Sequence, residues 1–196
     1  MYVQGARARR GAEHREVSYL NRTLKWTAEG IEYVHDAKHA EAAQREYGMG
    51  ESKAVTTPGA KAEEQEGDEA PLNETEATSY RRAAATLNYL AQDRPDIAYA
   101  VKECARGMSR PTASDSVRLK RVLRYLRLHP VRAQRLGWQP MPPETRMYSD
   151  ADWAGCRKTR RSTSGGACLH GSYLIRAWSR TQATVALSST DQPSPS

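Results

Sequence analysis

The sequence predicts an α+β protein in which a small helical region is followed by a β-sheet. Between residues 80 and 128 apolar residues recur at intervals of three and four, the period of an amphipathic helix. From residue 145 onwards apolar and polar residues alternate, which is the period of a strand. Connections rich in proline or in acidic residues precede both regions, so the regions are expected to be separate units of structure.

The chain of 196 residues is long enough for one domain or two small ones. It contains no phenylalanine, so its core aromatics must be tyrosine and tryptophan, and we expect modest cores. Composition divides the chain into a basic leader (1–15), a mixed segment (16–58), an acidic disordered linker (59–79), a helical segment (80–128), a proline-rich linker (129–145), a strand-rich segment (146–190) and a tail (191–196).

The mixed segment is predicted to contain a strand and a helix after an ambiguous start. Residues 16–24 could form either a strand or a short helix, whereas residues 30–35 alternate in the manner of a strand. Asp36 is a plausible N-cap for a helix that reaches Tyr47, and Gly48 is placed to end it.

Three amphipathic helices are predicted in the helical segment. Thr78 or Ser79 would cap the first, Pro95 occupies a favourable first-turn position in the second, and Ser114 or Asp115 would begin the third. Their apolar stripes favour a packed core over a ligand groove. Three successive antiparallel strands are then expected at residues 145–150, 166–170 and 172–178, with Gly171 at the second turn.

Positive charge is concentrated in the second part of the chain. Residues 1–80 carry 10 Lys and Arg against 15 Asp and Glu, whereas residues 81–196 carry 20 against 8, a net charge of +12. Such a charge suits a polyanion such as nucleic acid, although a solvated basic surface would have the same composition. The candidate nucleic-acid-binding residues are Lys120, Arg121, Arg124 and Arg127 on the third helix, and Arg157, Lys158, Arg160 and Arg161 between the first two strands.

Asp150 and Asp152 lie at the end of the first of these strands, where they would share one face of the sheet. Mg²⁺ prefers hard oxygen ligands, and phosphodiester hydrolysis commonly uses two such ions. Both aspartates are therefore candidate metal ligands, although a pair of this spacing also occurs as turn or capping carboxylates.

Other classes of protein fit the sequence less well. The three cysteines show neither CxxC spacing nor histidine partners at zinc-ligand intervals, which favours reduced thiols in an intracellular protein, either cytoplasmic or nuclear. No apolar run approaches the ~18 residues that a membrane span needs, and the basic N-terminus has no apolar segment of a secretory signal. Neither a membrane partner nor a small-molecule substrate is predicted.

From Glu16 to Thr190 the chain resembles the C-terminal part of the Pol polyprotein of copia-type LTR retrotransposons. The resemblance rests on four blocks in the family's order. They are Gly30-Ile31-Glu32-Tyr33 with Thr57-Pro58; Leu87-Asn88-Tyr89-Leu90 with Arg94-Pro95-Asp96-Ile97; Leu119-Lys120-Arg121-Val122-Leu123; and Tyr148-Ser149-Asp150-Ala151-Asp152-Trp153 with Arg161-Ser162-Thr163-Ser164-Gly165 and Ala186-Leu187-Ser188-Ser189-Thr190.

The resemblance implies a function for each segment. Residues 16–58 would be the end of a reverse transcriptase, 80–128 the connection, and 146–190 the start of an incomplete RNase H-like mixed β-sheet. Asp150 would be the catalytic aspartate that binds both metal ions, Mg²⁺ or Mn²⁺, and Asp152 a neighbour without an assigned role. The partner implied is an RNA–DNA hybrid or another nucleic acid, and the basic residues between the first two strands would lie near it.

The same resemblance predicts that the chain is catalytically inactive. The family's catalytic glutamate falls at Pro193, the later aspartates of the site are not found, and no Tyr-x-Asp-Asp sequence of a polymerase is present. Three hypotheses follow: a nuclease completed by carboxylates from another chain, a nucleic-acid-binding module without catalysis, and a translated remnant with no selected role.

Overall fold

The computed structural model describes residues 15–20, 22–35, 37–59, 69–152, 159–183 and 185. The described chain forms two compact units, Met1–Trp138 and Gln139–Ser196, with helices and two antiparallel sheets, in agreement with the predicted α+β class. The elements are β1 (Arg15–Tyr19), β2 (Arg22–Trp26), β3 (Gly30–Val34), α1 (Lys38–Glu46), α2 (Glu74–Leu90), α3 (Pro95–Arg106), α4 (Ala113–Leu128), β4 (Ala133–Gly137), β5 (Thr145–Ala151), β6 (Thr163–His170) and β7 (Tyr173–Thr181).

The first unit contains a four-stranded antiparallel sheet in the order β1-β2-β3-β4. Within the ambiguous range 16–24, residues 16–19 lie in β1 and residues 22–24 in β2, and these two strands pair antiparallel. Strand β3 occupies the predicted strand. Strand β4 lies within the range that the sequence assigns to a proline-rich linker, 129–145. It pairs with β3 from Gly30↔Gly137 to Val34↔Ala133. This pairing joins residues about one hundred positions apart, so local sequence contains little trace of it.

Helix α2 starts earlier than its predicted caps. Asn73 is the N-cap: its side chain accepts a hydrogen bond of 2.9 Å from the Glu76 N–H, and the Glu76 carboxylate accepts one from the Asn73 N–H. This capping box satisfies two otherwise free N–H groups, so it sets the start of the helix. The Thr78 hydroxyl instead donates to the Glu74 carbonyl within the first turns. Residues 74–79 of the predicted linker are therefore helical, whereas 60–68 lie outside the described residues.

The other helix ends follow the same physical rules. Thr112 caps α4 in a second capping box, in which Asp115 is the partner, so the helix starts just before the predicted Ser114 or Asp115. Pro95 is at the first turn of α3, as predicted. Gly48 has a φ of 64° just after α1, a conformation that glycine adopts without strain. Asp36, the predicted cap of α1, lies outside the described residues.

The four helices of the first unit enclose its core, as the apolar stripes predicted. Fully buried side chains from every helix meet there, and the Tyr80 hydroxyl donates a hydrogen bond of 2.6 Å to the Cys104 carbonyl. Burial raises the pKa of Tyr80, and it raises the pKa of the Cys104 thiol to about 12. The fully buried residues include Ala40, Tyr80, Ala83, Ala84, Leu87, Ile97, Val101, Cys104, Leu119, Leu123 and Leu126.

Two carboxylates connect the first sheet to the helices: Asp93 lies in the α2–α3 turn, and Asp96 lies in the first turn of α3. Asp93 accepts a hydrogen bond of 2.9 Å from Arg22 Nε on β2 and one of 2.7 Å from the Tyr33 hydroxyl on β3. Asp96 binds Arg94, whose NH1 group lies 3.3 Å from Nε2 of His35, directly after β3. Arg94 and the backbone N–H of Arg132 are both donors, so Nε2 of His35 accepts.

The second unit is an antiparallel sheet in the order β5-β6-β7, and its strands contain the three predicted ones. Gly171, with a φ of 60°, forms the tight β6–β7 turn, as expected. The predicted sheet was mixed, whereas the described strands pair only in antiparallel fashion. Strand β5 is exposed along most of its length, and Met147 and Tyr148 have 69% and 56% of their surface accessible.

No helix in the described ranges has the length and apolar character needed to cross a bilayer.

Candidate nucleic-acid interface

Asp150 is placed by β5, where it stands opposite Gly165 of β6. Its side chain is exposed, and Oδ1 accepts a hydrogen bond of 2.9 Å from the N–H of Ala151. The strand therefore presents the carboxylate to solvent, and a local backbone contact occupies one of its oxygens.

Asp152 follows the last residue of β5 and extends the β5–β6 ladder by its side chain. Its backbone N–H donates a hydrogen bond of 3.0 Å to the Thr163 carbonyl, and its carboxylate accepts from the Thr163 N–H. Both polar groups of the Thr163 backbone are thus satisfied by one residue. This geometry is that of a carboxylate that terminates a hairpin ladder, the alternative that a DxD pair leaves open.

The described residues do not supply the donor set of a two-ion site. Asp150 lies in β5 and Asp152 directly follows the strand, and within the described ranges no group of three or more His, Cys, Asp or Glu side chains is placed to hold a metal ion. A two-ion nuclease needs several convergent carboxylates, and Asp152 is already bound to a backbone N–H. Asp150 and Asp152 alone therefore do not make up such a site.

Arg121, Arg124 and Arg127 of α4 form a stripe, the arginine stripe, that contacts a single segment of the chain. Each of these three arginines donates to the segment 50–59, which we call the strap, whereas Arg118 of the same helix pairs with Asp115. The contacts are Arg121 Nε to the Gly59 carbonyl (3.0 Å) and Arg121 NH2 to Thr57 Oγ1 (3.0 Å), Arg124 Nε to the Lys53 carbonyl (2.5 Å), and Arg127 NH1 to the Gly50 carbonyl. The strap thus runs antiparallel to α4 along its basic face.

Of the remaining predicted basic residues, some lie within the described ranges and others do not. Lys120 is exposed on α4, next to the arginine stripe. Arg160 and Arg161 are exposed just before β6, and Arg160 has a φ of 55°, in the left-handed region. Arg157 and Lys158 lie outside the described residues. In the first unit, then, the structure gathers three of the predicted arginines into one surface and adds Lys120 beside it.

Two features of the site have no clear sequence signal. Nothing in the strap distinguishes it from an ordinary loop, because its contacts to the arginines are made mainly by backbone carbonyls. The buried Arg94 was noted only as part of a block before α3, although an Arg-Pro-Asp sequence at a helix start is a reasonable sign of a local ion pair.

The fold and the site together define a class: an α+β chain with a basic helical unit, a separate antiparallel sheet and an aspartate pair at a strand end. No protein-family model matches the chain, and no solved structure matches it. Curated proteins do match. An uncharacterized mitochondrial protein of Arabidopsis thaliana, AtMg00810, is 32% identical over 186 residues, which cover 88% of this chain and 70% of that protein.

Two further relatives are 39% identical to the chain. The retrovirus-related Pol polyprotein from transposon RE1 of Arabidopsis thaliana matches over 117 residues, 60% of this chain and 8% of that polyprotein. The secreted RxLR effector protein 161 of Plasmopara viticola matches over 116 residues, 57% of this chain and 79% of that protein. The chain belongs to the family of sequences related to the Pol polyproteins of copia-type LTR retrotransposons, of which it spans a small part.

Proposed function

We propose that this chain is a Pol-derived nucleic-acid-binding module that binds RNA–DNA hybrid through the arginine stripe of α4 and does not hydrolyse it. The observation that carries the proposal is the set of three arginines presented by one helix, Arg121, Arg124 and Arg127. In the described part of the chain no carboxylate forms an ion pair with any of them. Their positive charge is available to a polyanion.

The charge of the chain supports the same partner. The net charge of +12 in residues 81–196 attracts nucleic acid over a distance of about 8–10 Å at physiological ionic strength. Arginine also forms paired hydrogen bonds with phosphate oxygens, which lysine cannot do. The stripe is therefore suited to phosphate contacts, which position a protein on a helix without reading its sequence.

Two observations support the absence of hydrolysis. The Asp152 carboxylate accepts a hydrogen bond from the Thr163 backbone N–H. By the resemblance of the Ser188-Ser189-Thr190 block, Pro193 stands where the family's catalytic glutamate is expected. With Mg²⁺ or Mn²⁺, Asp150 would be a ligand that lacks the partners on which the chemistry depends. An RNase H-like origin of the β5–β7 sheet is part of this proposal.

The binding proposal is tested by the salt dependence of the affinity for a fluorescein-labelled RNA–DNA hybrid of about 16 base pairs, a length that spans more than one helical turn. We expect the double variant Arg121→Ala and Arg124→Ala to reduce the slope of log affinity against log salt by roughly two phosphate contacts. Arg121→Lys with Arg124→Lys should retain most of the slope, because the charge is kept.

Arg135→Ala is the matched control, because Arg135 is 77% exposed on β4 and pairs with Glu32. It should change the slope less than the double variant does. Equal slopes for the double variant and for Arg135→Ala would contradict a specific role of α4, and a lack of hybrid binding would refute the proposal altogether.

Hydrolysis is tested by incubating the labelled hybrid with the protein in Mn²⁺. We expect no cleavage above that of the Asp150→Asn variant. Cleavage that is abolished by Asp150→Asn would show an active nuclease and would favour the hypothesis that another chain supplies the missing carboxylates.

A further inference from the structure

The strap occupies the surface to which the proposed function assigns nucleic acid. Three successive turns of α4 each contribute one arginine, and each arginine binds the strap rather than solvent alone. The half-buried state of Arg121 and Arg124 follows from these contacts. A polyanion that binds the same guanidinium groups must therefore displace the strap or bind around it.

We propose that the strap, residues 50–59, is an intramolecular cover that competes with nucleic acid for the arginine stripe and opens when a polyanion binds. This inference rests on the proposed function, since a cover regulates only a surface that binds something. It adds to that function an equilibrium between a closed state, in which the strap lies on α4, and an open state that binds phosphate more tightly.

The chemistry of the contacts favours exchange of the strap for phosphate. The strap offers the arginines neutral acceptors, namely three backbone carbonyls and the Thr57 hydroxyl. Phosphate offers anionic oxygens, so its hydrogen bonds to a guanidinium add an attraction between opposite charges that a carbonyl acceptor does not supply. The strap accepts two hydrogen bonds from Arg121 and one each from Arg124 and Arg127, and the described residues form no ion pair with these three arginines. Phosphate supplies both acceptors and a counter-charge.

The strap is not held equally along its length. Its middle is attached to the core, because Val55 packs against the buried helical residues and its N–H donates to the Arg124 carbonyl at 3.4 Å. Beyond Val55 the residues Thr56, Thr57 and Gly59 are exposed, and the described contacts of this end to α4 are those with Arg121. Opening therefore begins at the Thr57–Gly59 end and exposes Arg121 first.

Thr57 and Thr56 provide a matched pair of variants for the test. Thr57→Val removes the hydroxyl that accepts from Arg121 and changes the side-chain volume little. Thr56→Val makes the same change at an exposed neighbour for which no hydrogen bond is seen within the described ranges. We expect Thr57→Val to bind the labelled hybrid about threefold more tightly than Thr56→Val, since one hydrogen bond that holds the closed state is lost.

Amide hydrogen exchange of the full chain, measured with and without the hybrid, reports the strap itself. We expect hybrid binding to accelerate exchange of the Val55 N–H, because its hydrogen bond to the Arg124 carbonyl breaks when the strap is displaced. A ligand that merely covered the strap would slow this exchange. One that bound elsewhere would leave it unchanged.

The outcomes separate this inference from the proposed function. Faster exchange together with tighter binding by Thr57→Val supports the cover. Equal binding by the two variants, or exchange that is slowed or unchanged by the hybrid, overturns the cover, and the dependence on Arg121 and Arg124 then decides the proposed function separately. If neither the wild type nor Thr57→Val binds the hybrid, both proposals are overturned.

Discussion

Arg94 and Asp96, which flank Pro95 at the start of α3, form an ion pair through two parallel hydrogen bonds of 2.8 Å each. The Arg94 side chain is only 1% exposed, whereas that of Asp96 is 23% exposed. Tyr125 adds a hydroxyl hydrogen bond of 2.9 Å to the same carboxylate. The pair thus connects the α2–α3 turn to α4, and it compensates a buried positive charge that would otherwise be costly.

Replacing Asp96 by asparagine should strongly destabilise the first unit. The change leaves the guanidinium of Arg94 buried without its counter-charge, and breaking a buried pair in this way typically costs about 3–5 kcal/mol. The measurement is the free energy of unfolding in urea. Glu32→Gln breaks the exposed pair with Arg135 and should cost less than about 1 kcal/mol. Similar losses of unfolding free energy in the two variants would show that the buried ion pair contributes no more to stability than the exposed one.

Acid should weaken the fold through the same carboxylate. Burial alone would raise the pKa of Asp96, but the hydrogen bonds and charge of Arg94, together with Tyr125, outweigh it and hold the pKa below its ordinary value. The unfolded chain therefore takes up a proton at a higher pH than the folded chain does. The contribution is fully present above the ordinary aspartate pKa and is lost as the pH falls through the lowered one.

The check is a series of urea denaturations from about pH 6 downwards, through the ordinary aspartate pKa of about 4. The stability difference between the wild type and Asp96→Asn should be constant at the upper end and should shrink below about pH 4. A difference that stayed constant throughout would mean that Asp96 titrates alike in the folded and unfolded chains.

Tyr33 should lose its phenolic proton at a higher pH than an ordinary tyrosine does. Burial, then the hydrogen bond and charge of Asp93, raise its pKa to about 12. A raised pKa means that its contribution to stability is complete below about pH 10 and is lost as the pH rises towards 12. The tyrosinate absorbance of the wild type minus that of Tyr33→Phe should therefore show a midpoint well above 10.

Tyr19→Phe is the control for Tyr33, because Tyr19 is exposed at the end of β1. At neutral pH Tyr33→Phe should cost about 1.5–3 kcal/mol of unfolding free energy, the usual value of a hydrogen bond to a charged group, and Tyr19→Phe much less. If the two variants titrate alike and are equally stable, the contact between Tyr33 and Asp93 is not formed in solution.

Gly166 should not tolerate a methyl group, whereas Gly165 should. A Cβ at Gly166 would approach the Trp178 ring within 2.6 Å at Cη2 and the Tyr148 carbonyl at the same distance. At Gly165 the nearest atom would be the Trp178 carbonyl oxygen at an ordinary 3.7 Å. We expect Gly166→Ala to destabilise the second unit by about 1–3 kcal/mol and Gly165→Ala by less, as measured by tryptophan fluorescence in urea. Equal effects would contradict the observed packing of Trp178.

Elements that depend on local sequence were the most predictable. The apolar stripes of α2, α3 and α4 form the core, and the alternating segments form β5, β6 and β7. These elements were predictable because a helix or strand with one buried face has apolar residues at a characteristic interval. The start of α2 was predicted one turn or more too late, since Thr78 and Ser79 were preferred over the Asn73–Glu76 capping box. Strand β4 was missed because its partner β3 is distant in sequence.

The candidate site also has a part that local sequence predicted and a part that it did not. Arg121, Arg124 and Arg127 were candidates because they are basic residues of the third predicted helix, and the structure places all three against the strap. The binding roles assigned to these arginines, to Asp150 and to Asp152 remain predictions. What the arginines contact was not predictable, because their partners are carbonyl groups, which every residue type carries.

The sequence by itself determined the α+β class, the helical core, the three strands of the second unit, the basic character of α4 and the family. Each of these depends on residue type at a fixed local spacing. Only the tertiary structure decided that the strap lies on the arginines, that Arg94 is buried against Asp96, and that Asp152 closes the hairpin on Thr163. The strap and α4 are about seventy residues apart in sequence, Arg94 is buried against the distant His35 and His129, and Asp152 meets Thr163 through the pairing of β5 with β6. Local spacing of residue types does not encode these contacts.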